Sequence, residues 1–79
     1  MDNENLKNYL RDTFLILIEN AFKVNKDLQN AKGADADFLK GEIMGYVRVI
    51  SLFEQQAKAF GLNPKDLGIN IDPEKDLLT

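Results

Sequence analysis

The sequence contains no cysteine, no histidine and no tryptophan. Without cysteine there are no disulfides, thiolate metal sites or cysteine nucleophiles. Without histidine there is no imidazole base, so the common catalytic triads and the Glu-x-x-His motif of di-iron helical bundles are excluded. We therefore expect a protein that is not an enzyme and that uses no metal or cofactor.

Positive charge is also scarce. Ten lysines and arginines face thirteen acids, which gives a net charge of −3 and a pI near 4.8. The basic residues are spread thinly along the chain, and only Arg11 and Arg48 are arginines. Binding to nucleic acid needs clustered positive charge. We therefore expect no nucleic-acid partner.

Long apolar runs are absent as well. The longest, Phe14 to Ile18, has five residues, whereas a membrane-spanning helix needs about 20. Residues 1–5 are acidic and polar, unlike a secretory signal. These features predict a cytoplasmic protein without a membrane partner.

Neither glycine nor proline occurs from Leu6 to Ala31, where apolar residues recur at alternating spacings of four and three. This pattern is one stripe of a helix, predicted over about residues 3–31 with Asp2 or Asn3 as its cap. The stripe consists of Leu10, Phe14, Leu17, Ala21, Val24 and Leu28.

A second helix is predicted over about residues 36–60, after a turn in which Gly33 ends the first helix and Asp35 or Asp37 caps the second. The two aspartates also resemble a metal pair, but a helix N-terminus explains them better. Gly61 ends this helix. Its stripe consists of Leu39, Ile43, Tyr46, Ile50, Phe53, Ala57 and Phe60.

The two stripes match in register. When the chain is folded at the turn, facing residues such as Leu17 and Ile50, or Phe14 and Phe53, have numbers that add up to 67 in all six layers. A small side chain faces a large one where Ala21 meets Tyr46, which is the arrangement that interdigitated packing prefers. The sequence therefore predicts an all-α fold, with an antiparallel two-helix hairpin over residues 1–61.

Residues 62–79 form a C-terminal tail with two predicted short helical turns. Asn63-Pro64 and Asp72-Pro73 each place a capping side chain before a proline, and Gly68 closes the first turn. Two alternatives remain for this tail. It either clamps across the open end of its own bundle near Leu6 and Phe60, or it presents Ile69 and Ile71 to a partner.

Two helices alone bury too little apolar surface for a stable domain. The tail has only five apolar residues, which we expect to be too few to cover the exposed apolar side of the hairpin. We therefore expect a homodimer that forms a four-helix bundle. Gly41 and Gly45, glycines in a helix interior, suggest close approach of a second helix. The predicted dimer interface consists of Leu15, Ile18, Phe22, Phe38, Gly41, Gly45, Val49 and Leu52.

Two polar residues fall inside the apolar arc of the second helix. Glu42 either fixes the register of the dimer or meets a base of a partner, or else it reaches water near the turn. Gln56 allows the same two interpretations. A buried carboxylate without a partner is costly, so Glu42 should find a lysine, a backbone donor or the edge of the bundle.

The stretch from Gly45 to Ala57, with Phe60-Gly61-Leu62 and Asp66 to Ile69, resembles short uncharacterised helical proteins encoded by Gram-positive bacteria and their mobile elements. The resemblance covers about a third of the chain and implies no particular activity. The sequence therefore predicts a non-catalytic helical interaction or adaptor protein that acts as a homo-oligomer. The alternatives are an antitoxin-like or mobile-element regulator that binds a basic protein, and a small-ligand-binding bundle.

Overall fold

The computed structural model describes residues 3–78. Two long helices, α1 (Asn3–Gln29) and α2 (Ala34–Ala59), form a hairpin. A 3₁₀ turn (Pro64–Leu67) and a short helix, α3 (Pro73–Leu77), follow, and residues 3–78 contain no strand. The predicted all-α hairpin with two short C-terminal turns is confirmed. The alternative cap Asp2 lies outside the described residues.

The predicted seam holds at its aromatic layer. The rings of Phe14 and Phe53 meet edge to face, with centroids 5.0 Å apart. The centre of burial is nevertheless rotated around both helices relative to the predicted stripes. Ile18 and Val47, which lie outside those stripes, are buried, whereas Leu17 is only half-buried. The tail explains this rotation.

The tail packs along one side of its own hairpin. Ile69 and Leu77 are each only 2% exposed and belong to the same core as Ile18. The Nε of Arg11 donates to the carbonyl oxygen of Asp66 at 2.8 Å, near the start of the tail. The Nδ2 of Asn25 donates to the carbonyl oxygen of Leu77 at 3.0 Å, near its end.

The course of the tail corrects two expectations. Its apolar residues suffice to cover one side of the hairpin, and Ile69 is buried inside the chain rather than presented to a partner. Self-docking, the other alternative, is confirmed, and the start of the tail does lie beside Leu6. The tail continues far beyond that end, however, and Phe60 stays 77% exposed.

The turn between the long helices differs from the prediction in its caps. Gly33 does adopt a positive φ of 63°, but it is the N-cap of α2 rather than the end of α1. Neither Asp35 nor Asp37 caps the helix, because α2 already begins at Ala34 and both aspartates lie in its first turn. There their negative charges interact favourably with the positive end of the helix dipole and stabilise α2.

The stop and start signals from Gly61 onward act as predicted. Gly61 has a φ of 74°, and the amide of Leu62 donates to the carbonyl of Ala57 at 2.8 Å, which closes α2. The Asn63 and Asp72 side chains accept from backbone amides and open the two short turns. These local hydrogen bonds direct the chain back along the hairpin.

Candidate functional site: the open face of the hairpin

The side of the hairpin opposite the tail is uncovered. A cleft of about 300 Å³ lies there between the two long helices. The Cα trace measures 47 × 21 × 15 Å, so its shortest dimension holds the hairpin and the tail but no further layer of helices. The cleft is lined by Leu17, Glu42, Gly45, Tyr46 and Val49. We call this side of the hairpin the open face.

Helical periodicity separates the open face from the side that holds the tail. Arg11 and Asn25 both donate to the tail, and Ile18 lies seven residues from each of them, so all three point to the same side of α1. Leu17 lies about 100° around the helix from Ile18 and lines the cleft instead. In α2, Val47 is buried under the tail, and Val49 lies on the far side.

Apolar side chains continue from the cleft to the open end of the hairpin. Phe53 is partly exposed and lines a second, smaller cavity together with Gln56 and Phe60. A further cavity of about 300 Å³ lies beyond it, where the tail begins; it is lined by Leu6, Lys7 and Asp66 among others and is not part of the open face. The open face therefore extends over most of α2, and contiguous exposed apolar surface of this kind marks interaction sites.

The predicted dimer interface does not form one surface. Its α2 members lie away from the tail, with Val49 in the cleft and Phe38 and Leu52 beside it. Ile18 was wrongly placed in this interface, because the tail buries it to 7% exposure. Its α1 neighbours Leu15 and Phe22 are exposed, but they lie on the shoulder next to the tail.

The glycine spacing in α2 has no explanation within the chain. A Cβ atom placed on Gly41 or on Gly45 would meet no heavy atom within 4 Å. Gly45 lines the cleft, whereas Gly41 lies one turn away on the outer surface of α2. The two glycines therefore leave space beside the open face, and no side chain of this chain occupies that space.

Glu42 is the one charged residue that lines the cleft. It is half-buried, and within residues 3–78 it forms no ion pair and no side-chain hydrogen bond. Of the three alternatives expected for Glu42, neither a lysine nor a backbone donor is present among the described residues, and the carboxylate keeps partial access to water at the edge of the hairpin. Gln56 is exposed and lies farther along the same face.

Sequence reasoning placed Leu17 and Tyr46 in the seam, where they do pack against the core, but it missed that both also line the cleft. The available signal was the tail itself, whose apolar residues determine which side of the seam is covered. In the part of the chain that the structure describes, no three acidic residues cluster closely enough to hold a metal ion. None of the helices within residues 3–78 combines the length and apolar character needed to cross a membrane.

Comparisons with protein-family models, with curated proteins and with solved structures found no match to this chain. The open face is therefore interpreted from its own residues.

Proposed function

We propose that this chain is a non-catalytic helical interaction protein that acts as a homodimer through the open face of its hairpin. The observation that carries the proposal is the uncovered apolar cleft between α1 and α2, which is lined by the partly buried Leu17 and Tyr46 and by the exposed Val49. Monomeric proteins rarely leave such a contiguous apolar surface in water. Burial of this face against another protein removes it from water.

A second copy is the occupant that fits the shape of the face. Two hairpins pressed together through their open faces form a four-helix bundle, the usual arrangement for antiparallel helix pairs. Helices in such bundles approach to about 8–10 Å, and the missing side chain at Gly45 leaves room for a partner helix. The tails then lie on the two outer sides of the bundle, where each already covers its own hairpin.

Light scattering of the full chain at micromolar concentration tests the proposal. We expect about twice the chain mass of 9.0 kDa. The decisive variant is Val49→Glu, which places a charge in the cleft, where Val49 is 43% exposed. The matched control is Leu15→Glu, since Leu15 is 55% exposed on the shoulder next to the tail. Both sites are open enough for the fold to tolerate a charge.

We expect Val49→Glu to be a folded monomer and Leu15→Glu to remain a dimer. The reverse result would place the interface on the tail side of α1 instead. A wild-type chain that stays monomeric and fully helical at all concentrations would disprove the homodimer.

A further inference from the structure

The charges on the open face are all of one sign. At about 100° per residue, Asp35 and Glu42 lie within about 60° of Val49 around the axis of α2. No lysine or arginine of α1 or α2 lies within about 60° of Leu17 or Val49 around its own helix axis. The basic residues lie elsewhere: Arg11 bonds to the tail, and Lys40 and Lys58 line cavities on the tail side.

This asymmetry sets a limit on the homodimer. Two copies that meet through the open face bring two Glu42 carboxylates into the interface, and neither copy supplies a base from the same face. A desolvated carboxylate without a counter-charge weakens an interface, whereas a cation opposite it strengthens the interface and selects the partner. The face is therefore matched in shape by a second copy, but not in charge.

We infer that the high-affinity occupant of the open face is a basic amphipathic helix of a different protein, which displaces the second copy and pairs a lysine or arginine with Glu42. This inference rests on the proposed function, because it uses the same face. The apolar stripe of such a helix fills the cleft over Gly45, and its base reaches the half-buried carboxylate. The homodimer is then the form that the protein adopts when this helix is not bound.

A pair of synthetic helical peptides tests the inference with the full chain. The surface from Glu42 to Phe60 spans roughly 27 Å, which corresponds to a helix of about 18 residues. One capped peptide of that length carries leucines at helical spacing on an alanine and glutamine background, with lysines beside the leucine stripe. The other has glutamine in place of every lysine. Fluorescence anisotropy measures their binding, and light scattering measures the fraction of dimer.

We expect the lysine peptide to bind roughly tenfold more tightly than the glutamine peptide and to dissociate the dimer. Higher salt should reduce this preference, because it screens the charge pair. The variant Glu42→Gln should have opposite effects on homodimer formation and on binding of the lysine peptide. It should strengthen the homodimer by removing two unpaired carboxylates, and it should abolish the preference for lysine. The control Glu19→Gln, an exposed acid on another side of α1, should change neither.

Equal binding of both peptides to the wild type would overturn the inference, as would a homodimer weakened by Glu42→Gln. If the wild type is a dimer that neither peptide dissociates, the inference of a basic helical partner is disproved, while the proposed homodimer stands. A monomer that binds neither peptide would overturn both. A monomer that prefers the lysine peptide through Glu42 would disprove the homodimer while supporting recognition of a basic helix.

Discussion

The side-chain amide of Asn25 donates to the main-chain carbonyl of Leu77 at 3.0 Å, across 52 residues of sequence. Leu77 is the last residue of α3, so its carbonyl has no partner inside that helix. The bond therefore fastens the end of the tail to α1, as Arg11 fastens its beginning through Asp66. Between these two points the tail covers one side of the hairpin and leaves the other open.

Loss of the Asn25 amide should loosen the tail. Asn25→Ala leaves the partly buried carbonyl of Leu77 without its donor, so we expect a loss of about 1 kcal/mol in the free energy of unfolding. Urea denaturation measures the change. Asn20→Ala removes an amide from an exposed position of the same helix and should cost less than about 0.5 kcal/mol. Similar losses in the two variants would show that the Asn25 bond contributes nothing.

The docking of the tail is testable with two adjacent leucines. Leu77 is 2% exposed and Leu78 is 46% exposed. Leu77→Ala creates a cavity in the core and should cost about 2–5 kcal/mol, whereas Leu78→Ala should cost less than about 1 kcal/mol. Thermal unfolding followed by circular dichroism separates the two. If both variants melt with the wild type, the tail is not part of the core.

The rotation of the core around α1 predicts an order of stabilities. Ile18→Ala should cost about 2–4 kcal/mol because Ile18 is buried beneath the tail. Leu17→Ala should cost less, since that side chain is only partly buried in the monomer. Ile16→Ala, at an exposed position, should cost least. The comparison is made in the Val49→Glu background, which we expect to be monomeric. A larger loss of unfolding free energy for Leu17→Ala than for Ile18→Ala would show that the core is centred on the stripe predicted from the sequence.

Two glycines should respond to alanine with opposite signs. Gly68 has a φ of 88°, a backbone conformation that residues with a Cβ rarely adopt, so Gly68→Ala should cost about 1–2 kcal/mol. Gly41 lies in the interior of α2 with no neighbour within 4 Å of its Cβ position, so Gly41→Ala should stabilise by about 0.5–1 kcal/mol. Chemical denaturation of both variants provides the test. Destabilisation by Gly41→Ala would reveal a contact that the isolated chain lacks.

The sequence was sufficient for most features that depend on local interactions, with the cap of α2 as an exception. The apolar period defines the two long helices, and Gly61 ends α2 through a hydrogen bond made by its own neighbours. Asn63 and Asp72 open the short turns by bonding to amides two and three residues away. The Phe14–Phe53 layer could also be predicted, because the spacings of two helices joined by a short turn determine which residues face each other.

The candidate site was predictable only in part. Gly45 and Val49 were expected at an interface, whereas Glu42 was left open between a partner contact and water, and the structure places all three around one cleft. Ile18 was wrongly placed in that interface, because Ile18 and Leu17 are both apolar and lie on either side of the seam. Each was an equally good candidate for the covered side.

The tertiary structure alone decided which side of the hairpin is closed. Two helices in contact leave a groove on each side, and the apolar arcs of α1 and α2 reach into both. Packing of Ile69 and Leu77 against Ile18 and Val47 closes one groove, and it joins residues 22 to 59 positions apart that no local pattern relates. The sequence by itself determined the helices and their register, because those follow from neighbouring residues. The position of the open face depends on distant burial, so only the folded chain reveals it.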